Sequence, residues 1–318
     1  MDRRTWIKDS SAALGLLGCF RSSLLGVTRA KDPGKLEQRT LGSTGQSLSI
    51  LGFGGIVVMD STPKEASQRV GRAIDAGVNY FDVAPSYGNA EERLAPALEP
   101  YRKNVFLACK TTERSRAGAR RELEASLRQL RTDHFDLYQL HAVTTLADVE
   151  QISSSNGALA AFQQAREEGK VRFLGFSAHS VEAALALMEK FSFDTILFPV
   201  NFATWHSGNF GPQVLAKAQE KRMGILALKA MARSRLPQSA KKRYAKCWYQ
   251  PLDEIGQADL ALRFTLSHPV TAAIPPGDER LFDMALGLAS KFVPLNEEEA
   301  SKIKLMALKE TPIFQGPQ

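Results

Sequence analysis

Residues 79–88 have the sequence NYFDVAPSYG, and they join a short apolar strand to a tight turn. The helical pattern before them ends in Ala-Gly-Val, which is typical of a helix that passes into a strand. Asp82 lies where that strand ends, and Pro85 and Gly88 predict a turn that exposes Tyr87. Such a turn can bring a carboxylate and a phenol to one pocket. For an isolated pair, the simpler interpretation is that the Asp caps a loop and the Tyr packs on that loop. The rest of the chain has to decide between this interpretation and a functional pocket.

Short apolar segments of this kind recur along the chain and alternate with amphipathic helical segments. Strands are predicted over residues 51–54, 79–82, 105–109, 135–140, 171–176, 195–199, 224–228 and 271–274. Helices are predicted over residues 63–76, 116–130, 157–168, 180–190, 213–221 and 257–266. Continuous apolar strands separated by helices indicate a parallel sheet. Eight such units in about 250 residues predict an α/β fold, a closed (β/α)8 TIM barrel.

The segments before the first barrel strand predict a β-hairpin. Residues 39–41 and 47–50 flank the turn-forming residues 42–45, Gly-Ser-Thr-Gly, and such a hairpin would plug one end of the barrel. A doubly wound open sheet is the structural alternative. It would need a GxGxxG turn after its first strand, and the glycines over residues 52–55 lack that spacing.

Composition and charge exclude several classes of protein. The chain has 318 residues, of which 44% are hydrophobic and 24% charged, as is ordinary for a globular protein. Its net charge is +7, of which the first 33 residues carry +3. The mildly basic remainder has one dense basic run, residues 241–243, which we interpret as a solvated loop, so no nucleic-acid partner is predicted. Cys19, Cys109 and Cys247 make neither a disulfide framework nor a CxxC pair, and no metal site is predicted.

The first 35 residues have the character of a leader that precedes one domain over residues 36–318. Residues 2–8, DRRTWIK, resemble a twin-arginine export signal, and the apolar segment that follows is too short and interrupted for a membrane span. The prediction is export by the twin-arginine machinery, as a periplasmic protein or a membrane-anchored lipoprotein. The alternative is a disordered basic tail on a cytoplasmic protein. Cleavage near Ala30 and lipidation at Cys19 both stay open.

Polar side chains lie at the carboxyl ends of four successive predicted strands. Asp82 ends the second strand, Lys110 follows the third, His141 ends the fourth and Ser177 follows the fifth. A surface lysine or a core histidine would explain one of these positions singly. Because active sites of (β/α)8 barrels lie at the carboxyl ends of the strands, four such residues in register predict an active site.

These residues and their flanking motifs resemble the aldo/keto reductase family. The resemblance spans residues 39 to about 288, nearly all of the predicted domain. It rests on five motifs: RxLGxTG over residues 39–45, LGFGG over 51–55, NxFDxAxxYG over 79–88, ACK over 108–110, and SLRQLRTDHFDLY over 126–138, which leads into His141.

The resemblance implies a catalytic tetrad of Asp82, Tyr87, Lys110 and His141 and a function as an NAD(P)H-dependent oxidoreductase. Hydride would pass between a nicotinamide and an aldehyde or ketone, or back from an alcohol. Tyr87 would donate the proton to the carbonyl oxygen, and the charge of Lys110 would stabilise the phenolate. Asp82 would keep Lys110 charged and oriented. His141 would position the carbonyl as a neutral hydrogen-bond donor.

The resemblance also implies residues that contact the cofactor. They are Gly55, Ser177, Asn201, Leu228, Lys229, Pro276, Gly277 and Arg280. Leu228 and Lys229 stand where an aromatic residue commonly stacks on the nicotinamide, so that stacking is lost or supplied elsewhere. Lys229 would either reach the pyrophosphate or face solvent. Glu279 occupies the usual basic position and Arg280 is displaced by one, so NADP is implied with NAD possible.

Two loops are candidates for the walls of a pocket for a small carbonyl substrate. They span residues 203–210, with Trp205 and His206, and residues 230–254, with Trp248 and Tyr249. Their aromatic side chains could equally anchor the loops to the barrel. The C-terminal segment has no cysteine, which excludes the iron–sulfur variant of the family.

Two other functions compete with the reductase. A redox sensor would bind the cofactor with little turnover. A barrel hydrolase or isomerase could use Asp82 and His141 as acid and base, but it would have no role for Lys110 beside Tyr87. The carbonyl compound, the direction of the reaction and the oligomeric state are left open by the sequence.

Overall fold

The computed structural model describes residues 35–237 and 241–316. The predicted leader, with Cys19 and Ala30, lies before these residues apart from Lys35, so its interpretation stays a prediction. Within the described ranges, no helix is long and apolar enough to cross a bilayer. The same part of the chain contains no group of three or more His, Cys, Asp or Glu side chains that could hold a metal ion.

A hairpin at the start of the described chain closes one end of the barrel. Its strands are β1 (Gln38–Thr40) and β2 (Ser47–Ser49). Leu41 in the turn and Leu48 in β2 are buried in the apolar cluster inside the barrel. Arg39 holds the hairpin in place by donating to the carbonyls of Leu266 and Val270, at 2.8 and 3.0 Å. The predicted hairpin plug is confirmed.

Eight parallel strands form the barrel. They are β3 (Phe53–Gly54), β4 (Tyr80–Asp82), β5 (Phe106–Thr111), β6 (Phe135–Val143), β7 (Val171–Ala178), β8 (Thr195–Pro199), β9 (Gly224–Leu228) and, after a second hairpin of β10 (Ala232–Arg235) and β11 (Tyr249–Pro251), β12 (Ala272–Ile274). Neighbouring strands pair in chain order from β3 to β9, and β12 lies beside β9. The seam closes because Gly52 donates to the Ala273 carbonyl and Ala273 to the Ile50 carbonyl, both at 2.9 Å. The predicted (β/α)8 barrel is confirmed, and the open-sheet alternative is wrong.

The strands are mainly apolar because they are buried on both faces. Successive side chains of a strand point to opposite faces of the sheet. Tyr80 and Phe106 accordingly belong to the cluster inside the barrel, while Phe81 and Leu107 belong to the larger core between strands and helices. This burial explains why the strands appear in the sequence as continuous apolar segments rather than as alternating ones.

Three of the strands run two to three residues beyond their predicted ends. The parallel ladder continues through the polar positions, as the pairing of Lys110 with Gln139 shows. Lys110, His141 and Ser177 therefore lie within β5, β6 and β7 near their carboxyl ends, and the predicted ends of these strands are corrected. The last residues of these strands could not be predicted from hydrophobicity, because they include polar side chains that face the barrel mouth.

Eleven α-helices lie within the described ranges. They are α1 (Pro63–Asp75), α2 (Ala90–Leu98), α3 (Arg116–Gln129), α4 (Leu146–Ser153), α5 (Ala158–Glu167), α6 (Val181–Lys190), α7 (Phe202–Ser207), α8 (Pro212–Glu220), α9 (Ile255–Ser267), α10 (Glu279–Ala289) and α11 (Glu297–Ala307). The six predicted helices are confirmed as α1, α3, α5, α6, α8 and α9. The start of α1 follows from its sequence, because Thr62 is the N-cap, Pro63 is the first helical residue, and Glu65 completes a capping box with Thr62. The other five were not predicted, and α2 contains Pro96, a residue that argues against a helix interior.

Candidate active site

A cleft of about 230 Å3 opens at the carboxyl ends of the barrel strands. All four predicted catalytic residues line it: Asp82, Tyr87, Lys110 and His141. Five of the eight predicted cofactor contacts line it too, namely Ser177, Leu228, Lys229, Pro276 and Gly277. The structure thus brings nine of the predicted site residues to one cleft.

Lys110 and Asp82 form a buried ion pair at the base of the cleft. The side chains are 1% and 2% exposed, and the Lys110 ammonium donates to Asp82 Oδ1 and, at 3.3 Å, to the Val83 carbonyl. Burial alone would lower the pKa of Lys110, but the charge and hydrogen bond of Asp82, together with Tyr87 and Cys109, outweigh burial and raise that pKa above its ordinary value. Lys110 is therefore charged although it has no access to water.

The other carboxylate oxygen of Asp82 has two further donors that the sequence analysis missed. The Tyr80 hydroxyl donates to Asp82 Oδ2 at 3.2 Å, and Gln139 Nε2 donates to the same oxygen at 3.0 Å. Both could have been found from spacing, since Tyr80 precedes Asp82 by two residues on one strand face and Gln139 stands opposite Lys110 in the ladder. These donors fix the orientation of the carboxylate that holds Lys110.

Tyr87 lies next to the cation of this pair. Its ring centroid is 5.0 Å from Lys110 Nζ and 5.6 Å from the His141 ring, which meets it edge-on at 84°. Burial raises the pKa of Tyr87, and the charge of Lys110 opposes that shift. The phenol is therefore protonated at neutral pH, and a cation lies close enough to stabilise a phenolate.

His141 is held as a neutral imidazole. Burial, followed by the charge of Lys110, lowers the pKa of His141 to about 3. Its Nδ1 lies 3.2 Å from the Ser86 hydroxyl. Arg114, which the sequence analysis did not single out, fixes the backbone here by donating to the carbonyls of His141 and Ala142 at 2.8 and 3.2 Å. A neutral imidazole can donate one N–H to a carbonyl oxygen throughout the physiological pH range.

Asp82, Tyr87, Lys110 and His141 lie together as the resemblance in the sequence implied. Comparison with known proteins identifies the same family. The aldo/keto reductase family model matches residues 51–305, which is well over half of the chain. The chain belongs to the aldo/keto reductase family. The barrel of this family member places the four side chains that were expected to form a tetrad in one cleft.

Individual relatives of this family member cover different shares of the chain. The aldo-keto reductase YhdN of Bacillus subtilis (strain 168) is 30% identical over 166 residues, which are 46% of this chain and 48% of that protein. The methylglyoxal reductase YeaE of Escherichia coli (strain K12) is 28% identical over 225 residues, 67% of this chain and 76% of that protein. The chain spans about half the length of the first curated relatives that it matches.

A solved structure shares the fold of this aldo/keto reductase family member. The holo form of aldo-keto reductase AKR11C1 from Bacillus halodurans superposes with a TM-score of 0.67 at 22% sequence identity. The match covers 87% of this chain and 98% of that chain. At this identity the similarity establishes the barrel and not the chemistry.

Ser177 and Asn201, two of the predicted cofactor contacts, form hydrogen bonds with backbone groups of the protein. Ser177 is 1% exposed and its Oγ accepts from the Ala142 amide at 2.8 Å, at the wall of the cleft. Asn201 does not line the cleft. Its Nδ2 donates to the carbonyls of Lys229 and Ala232 at 3.0 and 2.6 Å, and its Oδ1 accepts from the amides of Ala203 and Thr204 in α7. In this conformation Asn201 has no donor left for a nicotinamide, so its cofactor role stays a prediction that the structure does not support.

The two predicted glycines lie where loops pack closely. Gly55 begins a short 3-10 turn and does not itself line the cleft, and a Cβ on it would come within 2.7 Å of the Val83 side chain. Gly277 lines the cleft, and a Cβ on it would meet the side chain of Ile56, the residue after Gly55, at 2.3 Å. Because neither position has a side chain, the segments around Gly55 and Gly277 can pack closely at this side of the cleft.

The position of Lys229 excludes the solvent-facing alternative, while its contact with a pyrophosphate stays a prediction. Its backbone φ is +66°, and its ammonium lies 5.1 Å from the Trp248 ring centroid and 4.8 Å from that of Tyr249. Burial lowers the pKa of Lys229 to about 8. The lysine therefore lies between two aromatic faces instead of facing solvent.

The aromatic loops take different roles. Trp248 and Tyr249 line the cleft beside Leu228, where the sequence lacked an aromatic residue. Trp205 instead lies in α7, where a loop was predicted, and it packs edge-on against His268 at the end of α9, with ring centroids 4.2 Å apart, so it anchors this segment to the barrel. The open alternative between pocket wall and anchor is thus resolved separately for each loop.

Arg280 is engaged by an acid of its own loop. Its Nε and Nη2 donate to the two Asp278 oxygens, both at 3.0 Å, and its guanidinium lies 4.7 Å from the Tyr244 ring centroid. Arg280 does not line the cleft. Glu279 pairs with Arg69 at 3.3 Å. A 2′-phosphate would therefore have to compete with Asp278 for the guanidinium.

Proposed function

We propose that this family member is an NAD(P)H-dependent oxidoreductase that reduces an aldehyde or ketone, or oxidises the corresponding alcohol, with Tyr87 as proton donor. The observation that supports it most directly is the protonated Tyr87 beside the buried Lys110–Asp82 pair and the neutral His141. Residues 36–318 are proposed as the catalytic domain. A hydrolase or isomerase would leave this buried cation without a role.

The side chains divide the proton chemistry among them. His141, which is uncharged, would donate a hydrogen bond to the carbonyl oxygen and hold it beside Tyr87. Tyr87 would pass its proton to that oxygen as negative charge develops there. Lys110 would stabilise the resulting phenolate, and Asp82 would keep the ammonium charged and pointing at it.

The cleft residues fit the nicotinamide end of a nucleotide. A reduced nicotinamide nucleotide, when bound, would supply the hydride. Trp248 and Tyr249 offer ring faces, Ser177 a hydroxyl, and Pro276 and Gly277 a narrow backbone wall. We propose NADP as cofactor because the Arg280 guanidinium could bind a 2′-phosphate. NAD stays possible because Arg280 would have to give up its ion pair with Asp278 to do so. Gly55 is proposed to shape the wall without touching the cofactor.

The test is to measure turnover and coenzyme affinity separately in a Tyr87→Phe variant. We expect kcat with a panel of aldehydes and ketones to fall about 100-fold or more, because general acid catalysis typically contributes that much. The dissociation constant for NADPH, from fluorescence titration, should change less than about two-fold, as phenylalanine keeps the ring. Tyr101→Phe is the matched control, since Tyr101 is half-buried and lies outside the cleft.

Two outcomes would contradict this assignment. Equal loss of turnover and NADPH binding in Tyr87→Phe would show that the phenol builds the binding site and does not donate the proton. Tight NADPH binding by the natural sequence, with no turnover of any carbonyl compound, would instead support the redox sensor.

We also infer that the leader directs export, as a periplasmic protein or as a lipoprotein. The support is the paired arginines within residues 2–8. Replacing Arg3 and Arg4 by lysine should retain the protein in the cytoplasm on cell fractionation. An unchanged distribution would leave the basic-tail interpretation.

A further inference from the structure

Lys229 has no acidic partner although it lies at the wall of the cleft. Among the described residues, no carboxylate lies within ion-pair distance of its ammonium, and its neighbours are the faces of Trp248 and Tyr249. Ring faces stabilise a cation but leave its three N–H donors unused. The structure therefore presents a cation that is free to bind an anion.

His179 has an unused polar atom in the same cleft. Its Nε2 is buried and has no hydrogen-bond partner, and its ring stacks on Phe314 with centroids 5.0 Å apart. Burial and the nearby charge of Lys229 lower the pKa of His179 to about 4, so the ring is neutral at pH 7. A buried polar atom without a partner is unfavourable, and a ligand oxygen that accepts from it would remove that penalty.

Both groups lie close to the reacting residues. His179 and Lys229 line the cleft together with Tyr87 and His141, and both contribute to the lowered pKa of His141. Asp82 is the only acid among the described residues that line the cleft, and it is occupied by Lys110. Lys246 also lines the cleft, but it donates to the Val57 carbonyl at 3.0 Å and lies 4.0 Å from a Glu279 oxygen. Among the described lining residues, Lys229 is thus the cation without a hydrogen bond or ion pair to the protein, and His179 offers a buried Nε2 without a partner.

We propose that Lys229 and His179 form a subsite for a carboxylate carried by the carbonyl substrate, which would make oxo acids the substrate class. This inference rests on the proposed reductase function. One ammonium with one N–H donor matches the single charge and two oxygens of a carboxylate. The doubly charged phosphate would leave one charge without a partner in a buried site, which is unfavourable.

The experiment compares acids with neutral amides of the same shape. The two pairs are 4-carboxybenzaldehyde with 4-formylbenzamide, and 4-oxobutanoate with 4-oxobutanamide. We expect kcat/KM for the acid to exceed that for the amide about ten-fold or more in the natural sequence, because hydrogen bonds to charged groups are worth that much. Lys229→Met should bring the ratio close to one, and His179→Phe should lower it.

The variants are chosen to limit structural effects. Methionine at 229 keeps a Cβ at the same positive φ and an apolar stem between the two rings. Phenylalanine at 179 keeps the stacking on Phe314. Lys242→Met is the matched control, because it removes the same charge from an exposed position of the same loop, and its ratio should equal that of the natural sequence.

Two results overturn the subsite. One is an acid-to-amide ratio that Lys229→Met leaves unchanged. The other is a Lys229→Met variant that loses NADPH affinity while keeping the ratio, which would place Lys229 at the coenzyme pyrophosphate. Binding of benzoate and benzamide, followed by tryptophan fluorescence, decides the question even without turnover. A preference for benzoate that depends on Lys229 supports the subsite while the reductase proposal fails, and no preference rejects the subsite.

Discussion

Lys110 is an ammonium group that the fold keeps away from water, and its neighbours explain how it stays charged. Asp82 neutralises it, while Tyr80 and Gln139 saturate the other oxygen of that carboxylate. A buried ion pair of this kind adds little net stability compared with apolar residues, because removing two charges from water is unfavourable. In the proposed mechanism its use is chemical, since it places a positive charge 5.0 Å from the ring centroid of Tyr87.

Asp82→Asn should destabilise the protein far more than loss of an exposed pair. The amide keeps the shape but leaves the buried ammonium without a counter-charge, so we expect the free energy of unfolding to fall by about 3–5 kcal/mol. Urea denaturation measures it. Asp283→Asn is the control, because its pair with Arg72 is about half exposed and should be worth less than about 1 kcal/mol.

A double variant tests the cause. Adding Lys110→Met to Asp82→Asn removes the unpaired charge, so a large part of the lost stability should return. Additive losses would show that the pair is held for packing and not by charge.

The hairpin of β1 and β2 shows how an element depends on one turn. Gly42 and Gly45 both have positive φ, at +50° and +73°, as the turn sequence requires. A Cβ at Gly42 would lie 2.2 Å from the Gly224 backbone nitrogen, whereas nothing lies within 4 Å of a Cβ at Gly45. The two glycines share the conformational requirement and differ in the space around them.

Alanine at these two positions should separate strain from steric exclusion. Gly45→Ala should lower the free energy of unfolding by about 1–2 kcal/mol, the cost of a left-handed backbone for a residue with a Cβ. Gly42→Ala should cost clearly more, about 3 kcal/mol or above, because the hairpin must also move off the barrel. Guanidinium denaturation of both variants provides the comparison. Equal losses would mean that the hairpin does not pack as tightly on β9 as the structure shows.

At the level of elements, the sequence predicted most of what positions the site. Continuous apolar strands and capped helices carry local signals, so the eight strands and six of the helices could be predicted. The second hairpin could not, because the turn from Lys229 to Ala232 that leads into β10 has a positive φ at a lysine and not at a glycine, so the sequence gives no turn signal there. A role for His179 could not be predicted either, because only the folded structure shows that its Nε2 has no hydrogen-bond partner. Tertiary contacts alone determine such positions.

The stability of the whole molecule should fall as the pH drops from 7 to 5. His141 and His179 have pKa values of about 3 and about 4 in the folded protein, against an ordinary value near 6.5. Below 6.5 the unfolded chain binds protons that the folded chain cannot accept, so unfolding becomes easier. Each histidine contributes up to about 1.4 kcal/mol per pH unit in that window.

Urea midpoints at pH 7, 6 and 5 measure this slope. His179→Phe removes one of the two histidines while keeping the stack on Phe314, so its slope should be smaller by about the contribution of one proton. A variant slope equal to that of the natural sequence would show that His179 is accessible to protons in the folded state.

The seam of the barrel has a consequence for how the chain comes together during synthesis. The closing contacts join Leu51 and its neighbours to Ala273, more than 200 residues apart in sequence. The last strand must therefore leave the ribosome before the barrel can close. Until then, both edge strands of the open sheet can pair with another chain. Assembly is expected to be slow and to benefit from chaperones that shield those edges.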